Sequence, residues 1–148
     1  MRFHRFTPLL LRGVTAGLIA DGVHVHPDLV RLAFRTKGPG RIALVTDAVG
    51  WRAGTVGPLA ITHDGTAPRL ADGTLAGSSL TLDRAVANVV AWGATDLVGA
   101  VRAAATTPAD LLGRPDLGRI APGARADLAA LDGAGRCVAT WLGGRQVA

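Results

Sequence analysis

The sequence predicts a mixed α/β fold: a parallel strand–helix–strand unit, then further helices, then a small antiparallel meander. Three observations carry that expectation. Two short apolar runs, at residues 14–20 and 41–46, flank a segment of helical period. Apolar spacing of three and four residues returns after residue 80. Strand–turn–strand patterning fills residues 126–147.

Residues 14–20, Val-Thr-Ala-Gly-Leu-Ile-Ala, read as a strand buried on both faces, ended by the Asp21-Gly22 turn signal. Pro27 suits the first position of a helix. Leu29, Val30, Ala33 and Phe34 then share one face, Asp28, Arg31 and Arg35 another, and Gly38-Pro39-Gly40 stops the helix. Residues 41–46 form a second buried strand, and the short loops imply a right-handed parallel crossover. Residues 47–79 are rich in glycine and Asp-Gly turns (Asp64-Gly65, Asp72-Gly73). They predict a long loop with one or two small hairpins, an excursion of the functional kind. Leu82, Val86, Val89 and Val90 predict a helix from Leu80, capped by Ser79, with Asp83 in its first turn. A second helix follows Thr95-Asp96, with Leu97, Val98, Val101 and Ala105 on its buried stripe. A third is capped by Thr107, opens with Pro108 and stops at Gly113. The tail reads as strands 126–131 and 137–142 and a return at 145–147, whose exposed edges are expected to pair with strands outside this sequence.

The 148 residues match one average domain and fall far short of the roughly 250 of a complete large barrel. A hydrophobic content of 49% argues against disorder. The single cysteine, Cys137, excludes an internal disulfide and a cysteine-rich zinc site. All sixteen basic residues except Lys37 are arginine, all eleven acidic residues are aspartate, and there is no glutamate. Chemistry that needs a glutamate is therefore beyond this chain alone. The net charge of +5 is spread over arginines that stand singly, and no tyrosine is present, which argues against nucleic-acid binding. No apolar run reaches the roughly 18 residues of a membrane span. Arg12 interrupts the basic-then-apolar start, so a cleaved signal is not expected and the cytoplasm is the expected location.

Three segments carry candidate chemistry: Asp21-Gly22-Val23-His24 after the first strand, Thr46-Asp47 at the end of the second, and Gly73-Thr74-Leu75-Ala76-Gly77-Ser78-Ser79 before a helix. Parallel α/β strands hold their active sites at these C-terminal ends. An aspartate there serves as acid, base or cation ligand. Each segment has a plainer reading when taken alone: Asp47 caps a turn, His24 is a loop histidine, and the glycines turn the chain.

Taken together, residues 16–48 and the stretch from Asp72 to Thr81 resemble the N-acetylglucosamine-6-phosphate deacetylases of the amidohydrolase superfamily. The tail Gly118-Arg119-Ile120-Ala121-Pro122-Gly123-Ala124-Arg125-Ala126-Asp127-Leu128 is similar to that of many amidohydrolases. The resemblance covers about residues 14–148. It implies part of a TIM-type (β/α)8 barrel, the last two strand–helix units, over residues 1–118, with the hairpin-bearing loop at about 48–78. It assigns residues 119–148 to part of a small β-sandwich domain. It implies hydrolysis of the acetamide of N-acetylglucosamine 6-phosphate, with Asp47 as the proton shuttle. Asp21, Gly22, His24, Leu75, Ala76 and Gly77 are implied to contact substrate, whereas His26 reads as a helix-start residue. A divalent metal, zinc or similar, is the implied cofactor; its ligands are a glutamate and two histidines of earlier strands, so none is assigned here. Residues 1–12 match poorly, and His4 is not promoted to a ligand; His63 is expected to be exposed. A homodimer and a complementary upstream fragment are the implied partners beside the sugar phosphate, and the chain alone is expected to be inactive. The alternatives are an amidohydrolase acting on a cyclic amide, and a non-catalytic remnant that binds sugar phosphate or a partner chain.

Overall fold

The structure, a computed structural model, describes residues 13–148; the signal-like start and His4 lie outside them. β1 (Ala16–Leu18) and β2 (Ile42–Leu44) pair in parallel, Ala16 opposite Ile42 and Leu18 opposite Leu44. Both are shorter than their apolar runs. Val45 N–H still donates to Leu18 O at 3.0 Å, after which the first strand bends away into the turn at Gly22 (φ 78°). Burial on both faces holds for β2 and fails for β1, where Gly17 is exposed.

α1 (Pro27–Lys37) connects the two strands. His26 caps its start, Nδ1 accepting Asp28 N–H at 3.2 Å, and Gly38 (φ 72°) ends it by donating N–H to Phe34 O at 2.8 Å. The expected face is the buried one: Val30, Ala33 and Phe34. Residues 47–79 form the predicted excursion with two antiparallel hairpins. These are β3 (Thr55–Val56) with β4 (Leu59–Ala60), and β5 (Thr62–His63) with β6 (Pro68–Arg69).

α2 (Leu82–Ala91) begins two residues later than predicted, after Thr81. Ser79 lies too far upstream to reach the first free N–H groups of the helix, and it does not cap. α2 buries Ala85, Val86 and Val89 against Leu18, Ala20, Val30, Phe34, Ile42 and Leu44. Complete burial of side chains such as Val30, Ile42 and Val89 contributes about 1.5–3 kcal/mol each.

The next two predicted helices are one. α3 (Leu97–Val101), a π-helical segment at Arg102–Thr106 and α4 (Thr107–Leu111) run on with helical dihedrals at every junction. Asp96 caps the start, accepting Gly99 N–H at 2.8 Å. Thr107 is not a cap: it sits inside the helix and its hydroxyl donates to Pro39 O at 2.9 Å. The stripe is also reversed. Leu97, Val98 and Val101 are exposed, Val98 by 77%, while Gly99, Ala100, Ala103 and Thr107 are buried. Small residues win that face because β2 and the turn at Pro39–Arg41 approach it closely. The helix ends at Gly113 (φ 66°), as expected.

β7 (Leu128–Leu131), β8 (Cys137–Leu142) and β9 (Arg145–Gln146) form the antiparallel meander. Among the described residues no helix is long and apolar enough to cross a membrane.

Candidate active site

The ends of β1 and β2 bring Asp21, His24 and Asp47 together. In the loop after β1, Asp21 Oδ1 accepts the backbone N–H groups of Val23 and His24, each at 2.9 Å. Its Oδ2 lies 2.7 Å from His24 Nδ1. Burial of Asp21 works to raise its pKa, but the hydrogen bonds from the His24 ring and from the backbone of His24 and Val23 hold it below the ordinary 3.8. The far ring nitrogen, Nε2, stands 4.0 Å from Asp47 Oδ2. That gap is too long for a direct hydrogen bond.

Asp47 is the one non-glycine residue among those described with positive φ, 52°. Aspartate tolerates the left-handed region better than most side chains, at a cost of about 1–2 kcal/mol. What holds it there is the third segment. Ser78 N–H donates to Asp47 O at 2.7 Å, Val49 N–H donates to Ser78 O at 3.0 Å, and Ala48 and Ser78 form a parallel bridge. The Ser78 hydroxyl donates to Thr46 O at 2.5 Å and accepts Leu80 N–H at 3.0 Å. Gly77 (φ 86°) permits this approach, since a Cβ there would stand 2.9 Å from Asp47 O and 2.6 Å from a Val49 methyl. The Leu75-Ala76-Gly77 loop is thereby tied to the strand end that carries Asp47, whose side chain stays 56% exposed.

Sequence reasoning missed Ser78, the buried member of a serine pair that nothing but burial distinguishes. It placed the helix behind the site but not that helix's contacts with the loop after β1. Asn88 of α2 donates from Nδ2 to Ala20 O at 2.8 Å, and the Trp92 ring lies 3.5 Å from where a Cβ on Gly22 would stand. His63 is half-buried rather than exposed: its ring packs 4.4 Å from that of Trp51, and its Nε2 lies 3.1 Å from Ser79 Oγ. A cleft of about 430 Å³ opens beside these groups, lined by Asp21, His63, Ser79, Thr81, Arg84 and Trp92 among others. It reaches Asp21 but neither His24 nor Asp47.

Fold and site together define an α/β protein with a carboxylate and an imidazole facing each other at the C-terminal ends of adjacent parallel strands. The chain belongs to the amidohydrolase family, whose profile matches residues 6–147. It is 37% identical over 144 residues to an N-acetylgalactosamine-6-phosphate deacetylase of Shewanella sp. (strain ANA-3), covering 86% of this chain and 34% of the relative. It is 36% identical to an N-acetylglucosamine-6-phosphate deacetylase of Vibrio furnissii, covering 88% of this chain and 34% of the relative. The crystal structure of N-acetylglucosamine-6-phosphate deacetylase from Thermotoga maritima superposes with a TM-score of 0.86 at 36% identity. That match covers 94% of this chain and 40% of the other. The chain thus spans about a third of the length of these curated relatives.

Amidohydrolases are generally metal-dependent. Among the described residues, no group of three or more His, Cys or Asp side chains could hold a metal ion. Asp21, His24 and Asp47 do not fit such a centre: Asp21 is taken up by the loop, and His24 turns one nitrogen to Asp21. What these residues offer on their own is proton chemistry.

Proposed function

We propose that this chain is the acid–base and substrate-contacting part of a deacetylase acting on N-acetylated amino-sugar 6-phosphates, with N-acetylglucosamine 6-phosphate the substrate. Asp47 acts as the shuttle. Water adds its oxygen to the acetamide carbonyl carbon while Asp47 takes a proton from it. The same carboxyl then delivers that proton to the departing nitrogen as the C–N bond breaks, giving acetate and the free amine. His24, Gly22 and the Leu75-Ala76-Gly77 loop line the side from which the sugar approaches. The divalent ion that the family uses is held by side chains outside the described set, and a complementary chain segment supplies them.

In this reading β1, α1, β2 and the helices at residues 82–111 are the last two strand–helix units of a (β/α)8 barrel. Residues 1–118 belong to that barrel, with the hairpin-bearing loop at about 48–78, and residues 119–148 to a small β domain. The assembled enzyme is a cytoplasmic homodimer.

The observation that carries the reading is convergence. Three segments far apart in sequence meet at Asp47, through the 4.0 Å approach of His24 and the 2.7 Å hydrogen bond from Ser78. The test is co-expression of this chain with the barrel segment that a full-length relative carries upstream, followed by assay of acetate release. N-acetylglucosamine 6-phosphate and N-acetylgalactosamine 6-phosphate are supplied in separate reactions. The expected result is release by the pair, none by the chain alone, and a loss of about 10²-fold or more with Asp47→Asn. Release from neither sugar, or full activity of Asp47→Asn, would overturn the assignment.

A further inference from the structure

Both oxygens of the Asp21 carboxylate are engaged inside its own loop, and the side chain is only 10% exposed. Little of it is left to offer a sugar. An ionised carboxylate has no hydrogen to give, so the hydrogen of the 2.7 Å contact belongs to His24 Nδ1. Neutral imidazole carries one hydrogen, and Nε2 is then bare. That bare nitrogen faces Asp47 at 4.0 Å. The opposite tautomer would place an N–H there, and a small ring movement would bond it to the Asp47 carboxylate and occupy the base.

We propose that Asp21 is a positioning residue: it fixes His24 as the Nδ1–H tautomer and thereby leaves Asp47 free to take its proton. The arrangement resembles the aspartate of a serine-protease triad, which selects a tautomer without entering the reaction. The loop is braced for this task. Asn88 fastens Ala20 O, and the Trp92 ring backs Gly22, so the carboxylate and imidazole are presented from a fixed turn. The kinetic consequence rests on the acid–base role proposed for Asp47; the tautomer does not.

The tautomer is read on the isolated chain by long-range 1H–15N NMR of the His24 ring at pH 9. The expected signature is a protonated Nδ1 and a bare Nε2. In Asp21→Asn the amide oxygen still accepts the loop N–H groups and the NH₂ faces Nδ1, so the ring is expected to reverse to Nε2–H. Asp21→Ser keeps a hydroxyl acceptor for the loop but leaves Nδ1 without a partner, and covers the case in which the asparagine variant misfolds. A wild-type ring protonated at Nε2, or a tautomer indifferent to both substitutions, would overturn the proposal.

In the complemented assembly Asp21→Asn is expected to lower kcat about 10²-fold with KM nearly unchanged. A raised KM with kcat intact would show that Asp21 contacts substrate, and the proposal falls. An assembly that hydrolyses neither sugar sinks the proposed activity, while the NMR result still decides the role of Asp21.

Discussion

Replacing Ser78 by alanine probes the clamp on Asp47 directly. The side chain is 1% exposed, and its hydroxyl makes two hydrogen bonds: it donates to Thr46 O and accepts from the buried Leu80 N–H. Alanine leaves the backbone bonds of residue 78 in place and removes both hydroxyl bonds. Losing an ordinary bond costs about 0.5–1.5 kcal/mol, and a buried donor left without a partner about 1–3 kcal/mol. The Thr46 carbonyl, in a half-buried residue, belongs to the first class and Leu80 N–H to the second, so the expected loss is about 1.5–4.5 kcal/mol. With a urea slope of about 2 kcal/mol per molar, the unfolding midpoint falls by about 1–2 M. Urea titration followed by tryptophan fluorescence measures it, with Trp92 beside the site as reporter. Ser79→Ala is the control: Ser79 is exposed and, among the described residues, its side chain meets only His63, so its change should stay within about 0.5 kcal/mol. Equal effects at the two serines, or a loss under about 0.5 kcal/mol at Ser78, would refute the clamp.

Two further outcomes follow from the same geometry. Gly118→Ala should cost about 2–5 kcal/mol, because a Cβ would stand 2.4 Å from Ala105 O in addition to the strain of φ 67°. Gly113→Ala has nearly the same φ, 66°, and no atom of the described residues within 4 Å of the added carbon, so it should cost only about 1 kcal/mol; thermal melts that place the two together contradict the account. The Asp21 network gives a pH signature. A carboxyl whose folded pKa lies below 3.8 contributes stability above that value and loses it as pH falls through the lower folded pKa. The stability gap between wild type and Asp21→Asn should be present at pH 5 and close below pH 4; a gap larger at pH 3 than at pH 5 reverses the sign.

The elements that position the site were legible because their signals are local. Pro27, Gly38 and the two apolar runs place a helix between buried strands, and strand ends place Asp21 and Asp47 on one side. The capping error at Ser79 and the burial of Ser78 were not legible, since adjacent serines differ only in where the tertiary fold turns them. The reversed stripe on α3 has the same origin. Hydropathy favours Leu97, Val98 and Val101, but the contact with β2 selects for small volume, which Gly99, Ala100 and Ala103 supply. His63 was misjudged because its partner Trp51 lies in the other half of the loop, beyond any periodic signal.

The π-helical turn at Arg102–Thr106 decides which way the end of that helix faces. Thr107 N–H reaches back five residues to Arg102 O, and the widened turn makes room for the Pro108 ring where a regular helix would collide with it. Each residue rotates a helix by about 100°, so the extra one swings Thr107 and Ala109 round to the interior. Thr107 then ties the helix to Pro39 at the foot of β2, and Thr106 ties it to Gly118 at the start of the tail. Remove a single residue from that turn and Thr107 would rotate away from Pro39, loosening the tie between this helix and the foot of β2.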